Sequence, residues 1–248
     1  MATLEFHVVD DLADAWVRRF IESCHHAVAA RGRFVVALSG GGTPLPGYRR
    51  LRDRRDLPWE RVWVTWGDER DVPPDHPDRN ERTAREALLD AVPIPADHVV
   101  AWPYGPDPRS SARTHAEALH SSFGDPLDLD LALLGLGADA HTASLFPGTG
   151  AAAAGGTTVV VRPDAAGPAR LSLTAGALGR AREAWVLVAG ADKRHALERT
   201  LRTLRSDAPV GPDVADALPL TAVRPREALH VFADAAAAAA PDGAGGSD

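Results

Sequence analysis

Asp139 and His141 are the residues with the clearest chemical potential, and they follow the apolar run Leu129–Leu134 and two glycines. A carboxylate and an imidazole two residues apart in a turn can meet, and the carboxylate then fixes the imidazole tautomer. An imidazole held in this way can take a proton from water. We predict that His141 is a general base oriented by Asp139. The alternative is a loop histidine bonded to the backbone, and the histidines on helix faces and in strands are interpreted as structural.

A glycine turn, Ser39–Thr43, follows a second apolar run, Phe34–Leu38, and precedes Pro44. Glycines leave backbone N–H groups unobstructed, and proline suits the first turn of a helix, which would make Thr43 its N-cap. A strand, a glycine turn and a helix start together form an anion site, so we predict phosphate binding here. The segment is neither a P-loop nor a GxGxxG dinucleotide motif. A simple tight turn is the alternative.

Three charged residues, Asp68, Glu69 and Arg70, stand at the end of the apolar run Arg61–Trp66. Together they can supply an acid or base and a guanidinium for an anion or a developing oxyanion. Taken alone, this segment is better interpreted as a solvated loop that caps the next element.

Three basic residues form a last candidate set. Arg162 and Arg170 flank a loop, and Lys193 follows the run Trp185–Gly190 at a strand–helix junction. Each can hold a phosphate from the far side of a site. Each can equally be an ordinary surface charge, which single charges usually are.

Predicted strands and helices alternate along the chain, and these elements must position the candidate residues. Runs rich in Val, Leu, Phe and Trp predict strands at Glu5–Val9, Phe34–Leu38, Arg61–Trp66, His98–Trp102, Leu129–Leu134, Thr158–Arg162, Leu171–Thr174, Trp185–Ala189 and Leu229–Phe232. Apolar spacings of three and four predict a helix from Leu12 to Val28, and further helices are predicted at Pro44–Arg52, Glu81–Leu89, Arg109–Ser122, Ala175–Arg182 and Lys193–Arg205. This alternation predicts an α/β fold with a mostly parallel, doubly wound sheet covered on both faces. Ligands of such sheets lie beyond the carboxyl ends of the strands.

Residues 1–232 are expected to form a single α/β catalytic domain, because no clear linker interrupts them. Residues 233–248 are an Ala- and Gly-rich tail whose alanine run can continue a terminal helix and whose end is predicted to be disordered. The Gly- and Ala-rich segment 148–157 is predicted to be a surface loop, and the sequence leaves open whether it closes over a substrate.

Composition excludes several classes of protein. The chain has 248 residues with a net charge of -7, so it repels phosphate backbones and no nucleic-acid partner is expected. A single cysteine excludes an intramolecular disulfide and the CxxC pattern of zinc sites. We find no signal peptide and no run of about 18 apolar residues that would span a membrane. We therefore expect a cytoplasmic protein. We also expect a monomer, while the sequence itself leaves the oligomeric state open.

The motifs together resemble the 6-phosphogluconolactonase family, within the wider glucosamine-6-phosphate isomerase/lactonase group. They occur in family order over about residues 34–195 as SGGGTP at 39–44, WGDER with VPPDHPD-N at 66–80, LLGLGADAHTASLFPG at 133–148, RLSLT at 170–174 and VAGADK at 188–193. The run HTASLFPG is the most specific of these motifs. The resemblance implies a three-layer α/β/α fold and hydrolysis of 6-phospho-D-glucono-1,5-lactone, a step of the oxidative pentose phosphate pathway, with no metal or cofactor.

The resemblance also assigns roles to individual residues. The substrate phosphate would be bound by Gly41, Gly42, Thr43, Arg170 and Lys193. The reacting end would be lined by Asp68, Arg70, Asp139 and His141. By this resemblance His141 activates the water that attacks the lactone carbonyl, and Arg70 is our candidate for stabilising the oxyanion.

Two departures from the family pattern and two alternative functions stay open. Ala140 replaces a usual Gly, which costs on the order of 1 kcal/mol if the position needs a positive φ, and Arg79 replaces a frequent Ser. A related amino-sugar-phosphate deaminase/isomerase would carry a Glu five residues after His141, where this chain has Phe146. A non-catalytic sugar-phosphate-binding protein would keep the glycine turn and the basic residues but would not need the Asp139–His141 pair.

Overall fold

The computed structural model describes residues 2–164, 167–206 and 208–239, which fold into two sheets and eight α-helices. The strands are β1 (Thr3–Val9), β2 (Phe34–Leu38), β3 (Val62–Trp66), β4 (Asp68–Arg70), β5 (Leu131–Gly135), β6 (Thr158–Val161), β7 (Arg170–Leu173), β8 (Glu183–Val188) and β9 (Ala228–Asp234). The helices are α1 (Leu12–Arg31), α2 (Leu45–Arg52), α3 (Asn80–Ala87), α4 (Pro108–Phe123), α5 (Ala175–Leu178), α6 (Arg194–Leu204), α7 (Pro212–Ala217) and α8 (Ala235–Ala238).

Six strands form the central sheet in the order β1-β9-β8-β5-β2-β3, and every neighbouring pair is parallel. This confirms the predicted α/β class with a mostly parallel, doubly wound sheet. All five residues of β2 are buried, as expected of a strand covered on both faces. The chain leaves β2 for β3 on one side and then returns to β5 on the other, so the winding direction reverses between β2 and β5. A crevice beyond the carboxyl ends of these two strands is where such sheets bind ligands.

The apolar residues that predict helix α1 form its inner face, and this face packs against α2. The side chain of Asp11 accepts a hydrogen bond from the N–H of Asp14 and caps the helix, which ends at Gly32 with a φ of 76°. Trp16 and Phe20 are buried on the inner face of α1. The Trp16 ring meets that of Tyr48 on α2 edge to face, with centroids 5.9 Å apart. These contacts fix α2, and with it the glycine turn that precedes α2.

The structure differs from the sequence prediction at several elements, including the helix predicted at Ala175–Arg182, which ends at Leu178. Strands β4, β7 and β6 form a separate antiparallel sheet that the sequence did not reveal. The strand predicted at His98–Trp102 is wrong, because the chain makes a 3₁₀ turn at Ala96–His98 and only Val99 bridges to the sheet, at Val64. The helix α2 begins one residue later than predicted, and the side chain of Thr43 does not cap it.

The segment beyond residue 232 begins as regular structure. Ala233 and Asp234 complete β9 and pair with Val8 and Val9, and α8 follows with Ala237 buried. The predicted tail boundary at residue 233 therefore differs from the structure, while the predicted disorder at its end falls on residues 240–248, outside the described residues. Among the helices of the described chain, each is too short or too polar to cross a membrane.

Candidate active site

A cavity of about 200 Å³ opens where the carboxyl ends of β2, β3, β5 and β8 meet. It brings together six of the residues predicted from sequence, which are Gly41, Thr43, Asp68, Arg70, His141 and Lys193. These residues come from segments up to about 150 positions apart in the chain, and the parallel sheet alone places them side by side. The remaining predicted residues, Gly42, Asp139 and Arg170, lie outside the lining of the cavity.

The Asp139 and His141 side chains form a close pair. The Asp139 Oδ1 atom lies 2.6 Å from His141 Nδ1 and also accepts the backbone N–H of His141 at 3.1 Å. Burial alone would raise the pKa of Asp139, but the hydrogen bonds from the backbone and ring of His141 outweigh it and hold that pKa below its usual value. An ionised Asp139 keeps the proton of a neutral imidazole on Nδ1. The lone pair of His141 is then on Nε2, which has no hydrogen-bond partner among the described residues.

The loop that carries His141 is tightly built. Gly137 donates its N–H to the His141 carbonyl at 2.8 Å, and a Cβ atom at Gly137 would overlap both His141 Nδ1 and Asp139 Oδ1. Ala140 has a φ of 75°, the left-handed conformation that its usual glycine would adopt freely. The Phe146 ring stacks on the imidazole with centroids 4.6 Å apart. The imidazole is therefore held by the Asp139 hydrogen bond on one atom and by an aromatic ring on its face.

The glycine turn has backbone N–H groups that are free to donate hydrogen bonds. Among the described residues, the backbone N–H groups of Gly41, Gly42 and Thr43 have no hydrogen-bond partner. The Tyr48 hydroxyl donates to the Ser39 carbonyl at 2.7 Å and so fixes the start of the turn. Gly41 has a φ of 81°, which favours glycine at that position. Free N–H groups next to the N-terminus of α2 are the donors that the predicted phosphate site requires.

The Asp68 carboxylate is buried at the wall of the cavity. Residue 68 accepts hydrogen bonds from two side chains that the sequence did not identify as its partners. The Ser144 hydroxyl donates to Asp68 Oδ2 at 2.5 Å, and the Asn80 side-chain amide donates to the Asp68 carbonyl at 2.9 Å. Asn80 in turn packs so closely on Gly40 that a Cβ atom at Gly40 would overlap its amide. Ser144 and Asn80 are thus positioning residues that link the His loop, β4 and the glycine turn.

Glu69 has a structural role rather than a place in the cavity. Its buried carboxylate accepts the backbone N–H groups of Asn80 and Glu81 at 2.7 and 2.8 Å, so it caps the N-terminus of α3 from a neighbouring strand. Burial raises the pKa of Glu69 to about 7, against the opposing effect of these hydrogen bonds. The predicted capping role of segment 68–70 therefore holds for Glu69, but the predicted solvated loop is wrong, because the segment is strand β4 with Asp68 and Glu69 buried. Asp68 and Arg70 line the cavity.

Arg70 and Arg170 are direct neighbours across the small sheet. Burial lowers the pKa of Arg170, and the nearby guanidinium of Arg70 lowers it further. The Nε atoms of both arginines are buried without a hydrogen-bond partner in the described chain. Two adjacent guanidinium groups with free donors favour an anion between them. Lys193 faces the cavity with its Nζ atom 2.9 Å from Asp192 Oδ2, whereas Arg162 is exposed outside the cavity.

Known proteins are similar to this chain over most of its length. Residues 8–231 match the sequence profile of the glucosamine-6-phosphate isomerases/6-phosphogluconolactonase family. A 6-phosphogluconolactonase of Synechocystis is 47% identical over 69% of this chain and 72% of the relative, and one of Nostoc is 41% identical over 86% and 87%. The crystal structure of 6-phosphogluconolactonase from Thermotoga maritima has a TM-score of 0.82 at 26% identity, over 94% of this chain and 100% of that one.

Proposed function

The chain belongs to the glucosamine-6-phosphate isomerase/6-phosphogluconolactonase family, and we propose that it hydrolyses 6-phospho-D-glucono-1,5-lactone to 6-phosphogluconate with His141 as the general base. The family membership confirms the resemblance drawn from the sequence motifs. The observation that carries the mechanism is the Asp139–His141 pair, because its imidazole lines a cavity that also holds Arg70, Lys193 and the glycine turn. This reaction is a step of the oxidative pentose phosphate pathway.

The first half of the reaction is water attack on the lactone carbonyl. Nε2 of His141 removes a proton from water as the oxygen bonds to the carbonyl carbon, and the carbonyl electrons move onto the oxygen. Asp139 stabilises the imidazolium that forms, through the 2.6 Å contact with Nδ1. Arg70 faces the same cavity and stabilises the oxyanion with its guanidinium.

The second half of the reaction opens the ring. The oxyanion re-forms the carbonyl and the bond to the ring oxygen breaks, so the ring oxygen leaves as an alkoxide. The imidazolium of His141 donates its proton to that oxygen, which becomes a hydroxyl group and returns the imidazole to its neutral form. The product acid then ionises to 6-phosphogluconate. One residue thus serves as base and then as acid, and the step consumes water alone.

The substrate phosphate is held away from the reacting end by groups that do not take part in the chemistry. Gly41 and Thr43 line the cavity at the N-terminus of α2, and their free N–H groups, with that of Gly42 in the same turn, are the proposed phosphate donors. Lys193 reaches the same cavity from the end of β8, and Arg170 adds charge behind Arg70. The cavity lining offers one imidazole and one carboxylate, those of His141 and Asp68, which favours direct activation of water over a three-ligand metal site.

The deaminase/isomerase alternative is disfavoured by Phe146. Its ring lies flat on the imidazole of His141, in the position where that alternative would place a proton-relaying carboxylate. An apolar ring cannot move a proton, but it can hold the imidazole in place. We further propose that the protein acts as a cytoplasmic monomer with no nucleic-acid partner. The net charge of -7 supports the absence of a nucleic-acid partner.

The test is a pH-stat assay with freshly prepared lactone, corrected for its spontaneous opening in water. Replacing His141 by Gln should lower kcat by about 10²–10⁴-fold, the usual contribution of a general base, with a small change in KM. His26→Gln, a substitution of an exposed histidine on α1, is the matched control and should leave both constants unchanged. A wild-type kcat in His141→Gln would refute the mechanism, and acid release no faster than background in the wild-type protein would refute the function.

A further inference from the structure

Outside the cavity, Glu5, His7 and His230 bring three metal-binding atoms together on β1 and β9. The Oε2 atom of Glu5 lies 3.6 Å from His7 Nε2 and 3.3 Å from His230 Nδ1, and the two imidazole nitrogens are 3.3 Å apart. Glu5 is paired with His230 in the parallel register, and His7 follows two residues later on the same face of β1. The strand geometry therefore sets the spacing of the three groups.

These distances suit a shared ion better than direct hydrogen bonds. Zinc takes nitrogen and oxygen ligands at about 2.0–2.1 Å in a tetrahedron, which places neighbouring ligand atoms about 3.3–3.4 Å apart. Direct hydrogen bonds between nitrogen and oxygen atoms are shorter, at about 2.7–3.2 Å. We propose that Glu5, His7 and His230 bind a divalent transition-metal ion of the zinc class, with a fourth coordination position left for water.

Neighbouring side chains fix the positions of the two imidazole rings. The ring of His7 stacks on that of Phe232, with centroids 4.8 Å apart and planes 19° from parallel. His230 is fully buried, and its Nδ1 atom lies on the side of the ring that faces Glu5 and His7. Glu5 and His7 are only half-buried, with exposed side-chain fractions of 47% and 34%. An ion can therefore enter from the solvent side.

The groups behind His230 can adapt to the ion. Nε2 of His230 lies 2.7 Å from Arg19 Nη2 and 3.7 Å from Glu183 Oε2, and the indole of Trp185 holds that same carboxylate oxygen at 2.7 Å. In the structure Arg19 donates to Nε2, so the neutral ring carries its proton on Nδ1. An ion that binds Nδ1 displaces this proton, the ring takes up a proton on Nε2, and that N–H donates to Glu183 once the 3.7 Å separation shortens. The Arg19 guanidinium, already 3.5 Å from Glu183, moves fully onto that carboxylate. This gives the carboxylate–histidine–metal arrangement that orients metal ligands in proteins.

The position of the cluster indicates what the ion does. Strand β1 is at the edge of the sheet and pairs only with β9 in the described structure. An ion bound by residues of both strands cross-links this edge strand to the sheet. Because the ion binds the folded chain alone, it stabilises the protein by mass action. The site is separate from the catalytic cavity, so this inference does not rest on the proposed function.

The experiment measures Zn²⁺ binding by calorimetry after chelator treatment, with Co²⁺ absorption as the reporter of tetrahedral geometry. Wild-type protein should bind one Zn²⁺ at this site, and its thermal midpoint should rise by several degrees in excess Zn²⁺. Glu5→Gln and His7→Gln should each weaken binding at least tenfold, and the double variant should lose both the tight site and the Co²⁺ spectrum. Both side chains are half-exposed, so these variants fold.

Two controls separate this site from other histidine–carboxylate pairs. His76→Gln removes an exposed imidazole 3.9 Å from Asp78, and His141→Gln removes the one in the cavity. Both should keep the tight Zn²⁺ site, and the double variant at residues 5 and 7 should keep wild-type lactone hydrolysis. Equal Zn²⁺ affinity and equal thermal shifts in wild type and the double variant, or loss of the site in His141→Gln, would overturn the proposal.

Discussion

Gly137→Ala is a small change that should disable the proposed base without unfolding the chain. The φ of Gly137 is not in the left-handed region, so the backbone accepts alanine. The added methyl group would nevertheless occupy the space of His141 Nδ1 and Asp139 Oδ1. The side chains of His141 and Asp139 must then move away from residue 137, and this movement can also break the hydrogen bond between them.

The size of the effect follows from this overlap. To reach an ordinary contact, the imidazole must withdraw by about 1 Å, and a misplacement of that size can cost about 100-fold in rate. That corresponds to about 2.7 kcal/mol of lost transition-state stabilisation. Overpacking of a buried site costs about 1–3 kcal/mol of stability, which is less than the usual stability of a domain, about 5–15 kcal/mol. The variant should therefore fold and bind substrate, and fail mainly in kcat.

The assay compares kcat and KM for lactone hydrolysis with the free energy of unfolding in urea. Gly155→Ala is the control, because Gly155 lies outside the cavity lining, its φ is not in the left-handed region, and a Cβ atom there would meet nothing within 4 Å. It should keep kcat within a few-fold of wild type. If Gly137→Ala also keeps its kcat, or loses activity only in proportion to unfolded protein, the geometry assigned to His141 is wrong.

Three further outcomes are expected. Lys193→Gln should raise KM with little change in kcat, as measured by initial rates, because it removes a charge that binds the phosphate before and during reaction. Ser144→Ala should lower the free energy of unfolding by about 1–3 kcal/mol in urea titrations, because the buried Asp68 carboxylate loses its donor at 2.5 Å. Burial lowers the pKa of His115 to about 3, so between pH 6.5 and 3 the unfolded chain takes up a proton at this residue that the folded chain does not. The free energy of unfolding should fall on acidification across that window, and His115→Gln should reduce the slope by up to about 1.4 kcal/mol per pH unit; equal slopes would contradict the assignment.

The central sheet was predictable because several of its strands consist almost entirely of apolar residues. Residues Phe34–Leu38 are apolar throughout, and the structure places a fully buried strand at those positions. The Asp139–His141 pairing was also predictable, since a two-residue spacing after a glycine turn brings the side chains together without help from the rest of the fold. Local sequence was sufficient in both cases.

Elements that depend on distant partners were not predictable. Asp68–Arg70 is a strand of three charged residues, and it exists because β7, a hundred residues later, pairs with it. His98–Trp102 has the composition of a strand, but the Trp102 indole stacks on His115 and donates to the Trp66 carbonyl. These side-chain contacts hold the segment in place, whereas a strand would be held by backbone hydrogen bonds to its neighbour. The donor from Ser144 to Asp68 could not be found either, because nothing in the HTASLFPG motif identifies its partner.

The position of β9 between β1 and β8 has a consequence for synthesis of the chain. Strand β1 leaves the ribosome early, yet its neighbour in the sheet follows only after residues 10–227 have been made. A nascent chain that stops short of residue 228 has two unpaired strand edges, one on β1 and one on β8, and unpaired edges invite association with other chains. Completion of the native sheet therefore waits until β9 has been made, and pairing of β9 closes both exposed edges at once.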